Sequence, residues 1–475
     1  MSAPVQKQPN LDSVTTINSD GSHFFLHPAD VKGRWTLARR VFGLALIALY
    51  VALPWIPING SPALFFDVEM RRFHVFGLTL VPQDLWVMFF GVTGLGFTLF
   101  FITALLGRLW CGWACPYTVF LDHVFRRIER WIEGDSVARK KLAAAPWTAG
   151  KVVRRVAKHS LYVLCASLIA HVFLSYFVSI ERLYGHMQEG PLAHVTAFGI
   201  VVFLTLVLWF CFGWFREQFC IIMCPYGRLQ SALTDDDTVV IGYDEKRGEP
   251  RGKKRTGLPS EALAKEGDCI DCRRCVNVCP TGIDIRNGLQ LECIGCAACI
   301  DACDDIMTKI ERPKGLVRYD SLNGLTGKKR RILRPRVIAY TILGLLGLTA
   351  FSIAGWKRAK PFTADFSRMR GQPFYTDGSA VRNHYQIRFY NKRNQPARFS
   401  IRLANVPEGF TLSGADTVIE VPPLGDVTRP AIVVVPSGVY RGTTNLNIEV
   451  RAEPGDVTIR HEMRFLGPDP YTPQP

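Results

Sequence analysis

Two runs of cysteine between Cys269 and Cys303 specify a chemistry by their spacing. The first reads C-I-D-C-R-R-C-V-N-V-C-P and the second C-I-G-C-A-A-C-I-D-A-C-D, each with C-x2-C-x2-C-x3-C spacing. Three thiolates at such intervals on a tight loop reach three corners of a cubane iron–sulfur cluster, while the fourth points to the neighbouring cluster. The spacing therefore predicts two [4Fe-4S] clusters bound crosswise. Cys269, Cys272, Cys275 and Cys303 serve one, and Cys293, Cys296, Cys299 and Cys279 serve the other. Zinc sites usually pair C-x2-C without a third cysteine in register, which disfavours zinc here. Pro280 follows Cys279 as such runs usually have it, whereas Asp304 follows Cys303; only the local turn is affected.

A second pattern repeats nearer the N-terminus. One apolar stretch ends in R-L-W-C-G-W-A-C-P-Y, giving Cys111 and Cys115, and another ends in F-C-I-I-M-C-P-Y-G-R, giving Cys220 and Cys224. Cysteines at i and i+4 share one helical face, and Pro116 or Pro225 then ends the turn. Two such pairs from neighbouring helices can close a four-thiolate site for a soft ion, for which Cu(I) is the first candidate and zinc the second. These four cysteines are the candidates for both copper binding and catalysis. Met223, within the second pair, reads as a packing or lipid-facing residue, and Cys165 and Cys211 as packing cysteines.

Positioning these thiols falls to a multidomain membrane protein. The chain has 475 residues, 48% of them hydrophobic, with a net charge of +16. All 14 cysteines lie between Cys111 and Cys303, a redox and metal distribution instead of a disulfide framework. Five apolar segments are expected to cross a bilayer, which takes about 20 residues each: Val41–Ile56, Leu85–Leu106, Ser160–Ile180, Val195–Phe212 and Val337–Trp356. The run Gly91–Gly96 within the second lacks a preceding strand and reads as a helix-packing face, not a dinucleotide loop. His159, His171 and His194 do not pair at one depth as haem ligands would, and no haem attachment motif is present. The basic residues flank apolar segments, so they fit the positive-inside rule and anionic lipid better than nucleic acid. That rule puts the N-terminus and the cluster region in the cytoplasm and the C-terminal region in the periplasm. No cleavable signal sequence is expected, because the first 35 residues are polar.

The expected organisation is a polar tail (1–35), a membrane domain with four spans (36–240) and a charged linker (241–265). A dicluster ferredoxin-like domain (266–325), a basic segment with the fifth span (326–360) and an all-β domain (361–475) follow. The last region alternates apolar and polar residues in segments such as Y-Q-I-R-F-Y, A-I-V-V-V and L-N-I-E-V-R, separated by turn residues. That is the pattern of an immunoglobulin-like sandwich, without its disulfide. His384 and His461 within it read as strand or surface residues.

The chain resembles the cbb3-type cytochrome c oxidase accessory proteins, the group called CcoG, FixG or RdxA. The resemblance rests on F-L-H-P-A-D-V-K-G-R-W (Phe25 to Trp35), the two C-x3-C-P-Y motifs, the paired cluster runs and G-L-V-R-Y-D (Gly315 to Asp320). The C-x3-C-P and cluster motifs are shared with membrane quinol dehydrogenases of periplasmic nitrate reduction; the C-terminal β domain favours the oxidase accessory group. The resemblance implies a five-span bacterial inner-membrane protein with a cytoplasmic polyferredoxin and a periplasmic immunoglobulin-like domain. It also implies a cupric reductase that supplies Cu(I) for oxidase assembly, with assembly factors or a copper chaperone as partners. The electron donor is unknown. The alternatives from other classes are a quinol-linked electron relay feeding a periplasmic partner, and a scaffold for oxidase assembly.

Overall fold

A computed structural model describes residues 24–252, 267–358, 360–404, 406–414 and 417–468. Residues 1–23 of the expected tail and 253–265 of the expected linker lie outside them. The chain forms two compact units, one of residues 1–56, 65–68 and 85–352, the other of 57–64, 69–84 and 353–475.

Among the described residues, five helices are long and apolar enough to cross a membrane: Arg34–Trp55, Leu85–Leu106, Ala149–Leu174, Val195–Phe215 and Pro335–Arg358. The third begins 11 residues before its expected start, within basic sequence. Its first turn is capped by Thr148, whose hydroxyl accepts from the Lys151 amide at 3.3 Å. Its cations also find partners: Lys151 Nζ donates to the Ala143 carbonyl at 3.1 Å, and Lys158 reaches Glu133 at 3.0 Å. The connection to the fourth span, expected as a short loop, contains a helix, Ile180–Glu189, capped by the Ser179 hydroxyl. The glycine face behaves as its sequence predicts. A Cβ on Gly94 would stand 2.7 Å from the Leu348 backbone nitrogen, and one on Gly347 would stand 2.6 Å from Gly94 Cα, so the second and fifth helices pack backbone to backbone.

The same unit holds the cysteine-rich region, and here two expected boundaries are corrected. Residues 24–35 are a packed strap, not a loose tail. Leu26 is buried, Ala29 N donates to the Asn277 carbonyl at 2.8 Å, and Asp301 accepts from the Thr36 amide and hydroxyl, each at 2.7 Å. Asp301 thus supplies the missing side-chain cap for the first membrane helix from within the cluster region. The segment expected to open the linker instead forms a strand, Val240–Tyr243, antiparallel to Val317–Asp320. The reason is visible in the pattern V-I-G-Y, whose last three residues are buried.

The second unit is a β sandwich. One sheet orders the strands Thr411–Ser413, Asp426–Pro436, Ala380–Asn391 and Phe362–Arg368, with Tyr375–Thr376 at the edge. The other orders Ile419–Val421, Ala397–Ala404, Thr444–Glu453 and Val457–Phe465. Inward-facing residues such as Phe389, Phe399, Val433, Ile448 and Phe465 are fully buried, as period-2 alternation requires. Short segments from residues 57–84 join this unit, with Asp84 accepting from Lys392 Nζ at 3.0 Å. His461 stacks on Phe366 at 4.5 Å, and His384 faces Tyr375 at 4.8 Å. Both are strand residues.

Candidate functional site

The two cluster runs adopt the same backbone. In the first, Asp271 and Arg273 have positive φ (51° and 54°); in the second, Gly295 and Ala297 do (67° and 63°). These residues flank the second cysteine of each run, and the left-handed turns let the chain wrap a cubic object with its amides facing inward. A helix follows each time, Arg274–Asn277 and Ala298–Lys309. The amide of Gly295 donates to the Cys293 sulfur, and that of Ala298 to the Cys296 sulfur.

Thiols of the two runs are buried and crowd one another. Burial pushes the Cys303 thiol up to about 12, and among its neighbours Cys275, Cys269 and Cys272 add to the rise. Burial likewise raises Cys299 far above the ordinary thiol range, with Cys296, Cys293 and Cys279 the next causes. Cys275, Cys279, Cys293, Cys296 and Cys299 line one cavity, walled by Ile241, Ile283 and Ile294. Desolvated, mutually repelling thiols with amide donors fit a cationic iron–sulfur core that takes their protons' place. Asp304, in place of the usual proline, lies inside the Ala298–Lys309 helix and accepts from the Gly315 amide at 2.9 Å.

The C-x3-C-P motifs share a second repeated backbone. Cys115 and Cys224 are both extended (ψ 122° and 112°), each caps a helix that starts with proline, and each amide donates to the carbonyl five residues back. The two copies clasp each other. Tyr117 of the first copy donates to the Arg216 carbonyl at 2.6 Å, on the approach to the second. Tyr226 of the second bonds Thr103 on the helix leading to the first, and Arg108 donates to the Gly227 carbonyl. This clasp gathers all four thiols: burial raises Cys220, followed by the influence of Cys115, Cys111 and Cys224. Burial and Cys115 push Cys111 up to about 12, and its sulfur faces the Gln230 amide oxygen at 3.5 Å. Among the described residues, no three thiols, imidazoles or carboxylates stand at ligation distance from a common point, so closing on a metal requires side-chain movement. Met223 is 62% exposed, consistent with a surface role.

The two thiol sets are neighbours. A Cβ on Gly112 would lie 2.5 Å from the Ile294 carbonyl oxygen and 3.0 Å from the Cys296 nitrogen, so one loop rests on the other. Tyr319 ties them further, donating to the Gly295 carbonyl at 2.6 Å while accepting from the Trp113 indole at 3.2 Å. Trp35 packs edge-on against both rings.

With the geometry in place, comparison with known proteins is decisive. The chain is 35% identical over 467 residues to Protein RdxB of Cereibacter sphaeroides, covering 93% of this chain and 95% of that one. Protein RdxA of the same organism is 37% identical (79% and 81% covered), and the nitrogen fixation protein FixG of Rhizobium meliloti 33% (87% and 84%). This chain belongs to the FixG/RdxA family. A family model described as a 4Fe-4S dicluster domain matches residues 215–322, and one described as the IG-like fold at the C-terminus of FixG matches 352–468. A 4Fe-4S binding domain model matches 87–135, where Cys111 and Cys115 are the only cysteines. The membrane helices and the cluster region of this iron–sulfur oxidoreductase family member thus belong to one polypeptide.

Sequence reasoning missed the polar hub beside the thiols. Glu129, 2% exposed, accepts from Arg216 at 3.1 and 3.3 Å and from Arg139 at 3.3 Å. Arg216 itself is buried with φ 49°. Burial opposes the Glu129 charge, but Arg216 and its neighbouring cations outweigh that and hold the carboxyl down at about 2. The only sequence signal was charge inside an apolar context, W-F-R-E-Q-F, which marks an intramembrane polar site by default. The histidines singled out in the spans have protein partners: His159 accepts from Trp209 at 3.2 Å, and His171 Nδ1 lies 2.8 Å from the Ser167 carbonyl. His194 bonds Glu189 at 2.6 Å. Cys165 packs in an apolar cluster with Phe125, Tyr162 and Phe212, as expected, and the Cys211 carbonyl accepts from Tyr117 at 2.9 Å.

Proposed function

We propose that this protein is a cupric reductase: it takes up Cu(II), adds one electron and holds the resulting Cu(I) on Cys111, Cys115, Cys220 and Cys224. What carries this reading is the backbone contact of Gly112 with Ile294 and Cys296, which sets the four-thiol site directly against the second cluster loop. The clusters, bound by the eight cysteines of the paired runs, supply single electrons. The chain does the rest. Soft thiolates favour Cu(I), whereas Cu(II) prefers nitrogen and oxygen donors, so transfer to this site and reduction are mutually reinforcing. Cys111 and Cys220 are held protonated by burial, so uptake of copper releases protons. Arg108 beside Cys111 offsets part of that burial cost.

In this reading the protein sits in a bacterial inner membrane with the cluster region cytoplasmic and the β domain periplasmic. The Cu(I) goes to assembly of a cbb3-type oxidase through a chaperone or assembly factor. A periplasm-dependent reporter fused to the C-terminus should be active, and a cytoplasm-dependent one silent. The deciding experiment is Cu(II) reduction by purified, cluster-reconstituted protein, beside a variant with Cys111, Cys115, Cys220 and Cys224 all changed to Ser. Copper per chain and reductase activity should fall to background together while iron per chain stays at about eight. Full copper retention would refute the copper site and favour the quinol relay. A second reading has one observation of its own. The 4Fe-4S model over 87–135 contains only Cys111 and Cys115, so the four thiols would hold a further cluster. About twelve irons per chain, falling to about eight in the quadruple variant, would establish that reading.

A further inference from the structure

At the foot of the first membrane helix lies a cavity of about 100 Å³, several times the space one water needs. Six guanidinium groups line it: Arg39, Arg40, Arg126, Arg127, Arg130 and Arg139. Two carboxylates, Asp30 and Asp122, face them. Asp122 is shared by Arg39 and Arg126, and Asp30 by Arg127 and Arg130. Glu217 and Glu129 reach Arg126 and Arg139 from behind, but both also serve the buried Arg216. Six cations thus face four carboxylates, each of them shared and two of them with Arg216. The shortfall leaves atoms without partners: Arg139 Nε, on a side chain 4% exposed, and Arg126 Nε and His123 Nδ1 are buried and bond nothing. Burial and the facing Arg40 and Arg130 hold Arg127 below the usual arginine range, more than Asp30, which it shares with Arg130, offsets.

The geometry points to a binding site for a phosphate group, carried by an anionic lipid headgroup or by a soluble phosphate ester. Guanidinium forks match tetrahedral phosphate oxygens with paired, charge-assisted hydrogen bonds. Arg39 and Arg40 sit in the first two turns of the Arg34–Ala52 helix, the level of headgroup phosphates in a bilayer-spanning helix. Val278 and Pro280 of the first cysteine run and Ala298 of the second also line the cavity, so the ligand lies against both runs, beside Cys279 and Cys299. Nothing in the copper reading is needed for this site.

The test uses the full chain in phosphatidylcholine nanodiscs. Pyrophosphate is titrated calorimetrically in one arm, and cardiolipin retention is read by native mass spectrometry in the other. Saturable binding in at least one arm is expected, weakened about tenfold or more in Arg40→Gln/Arg127→Gln, with iron per chain unchanged. Binding of pyrophosphate identifies a soluble ester as the source; retention of cardiolipin alone identifies a headgroup. Should the double variant lose iron, Arg130→Gln replaces it, that side chain being 41% exposed. Absence of binding in both arms, or equal binding by the variants that retain iron, overturns the site.

Discussion

The cluster runs and the C-x3-C-P motifs are both internal repeats of cysteine, yet they gather thiols by different means. In the cluster runs, local backbone does most of the work: left-handed residues at Asp271, Arg273, Gly295 and Ala297 curl each loop, and amides meet the sulfurs. In the crosswise arrangement that the spacing predicts, only Cys279 and Cys303 need the other run. In the C-x3-C-P motifs, each loop presents only two thiols, and tertiary packing must bring the pairs together. Tyr117, Tyr226 and Arg108 do so by reaching across to the other copy. The first depends on turns that each run carries for itself, the second on contacts between segments far apart in the chain.

The largest effect should come from breaking the crosswise exchange. Cys279→Ser and Cys303→Ser each remove the ligand that crosses to the other run, so each should lower iron from about eight to about four per chain. Their paramagnetic spectra should differ, because opposite clusters survive. Crosswise ligation also requires Cys303→Ser to leave the same spectrum as Cys272→Ser; a match of Cys279→Ser with Cys272→Ser instead would mean that each run keeps its own fourth cysteine.

Next in size is the hub behind the clasp. Glu129→Gln leaves Arg216 and Arg139 buried without their carboxylate, a loss of about 3–5 kcal/mol. Denaturation should show this, with copper lost before iron, since Arg216 supports the clasp and not the cluster turns. Simultaneous loss of both metals would argue that the two regions are one cooperative unit.

Gly112→Ala sharpens the comparison at the contact itself. The added methyl meets the Ile294 carbonyl at 2.5 Å and should cost about 1–3 kcal/mol as overpacking. Copper and iron should both remain while the reductase rate drops, because the loops are forced apart. An unchanged rate would remove the contact from the electron path.

The smallest effect is a pH dependence. Burial, reinforced by Arg216, lowers His27 to about 3, and burial, reinforced by Arg39, lowers His123 to about 4. An unfolded histidine takes a proton near 6.5 while these stay neutral, so stability should decline as pH falls below about 6.5. The carboxylate of Glu129, held near 2, adds a further loss between about 4.5 and 2. Replacing both histidines with Asn should flatten the upper part of that profile in thermal melts. A profile unmoved by the substitutions would assign the acid sensitivity elsewhere.

The sequence by itself determined the elements whose signal is local. Cluster spacing, the five apolar segments, the glycine face at Gly94 and the alternating strands from Phe362 onward each follow from periodicity or turn chemistry within a short window. The C-x3-C-P repeat was equally legible as a repeat. Only the tertiary structure decided that its two halves meet, because Cys115 and Cys220 are separated by two membrane helices and no local rule sets their distance. It also decided that the strap around His27 to Trp35 is packed. Polar composition suggests a loose tail, but Asp301 and Asn277 supply partners that lie far along the chain. The hub of Glu129 and Arg216 is the clearest case. Its charges look like flanking cations and anions in sequence, and become a buried network only when three segments fold together to exclude water.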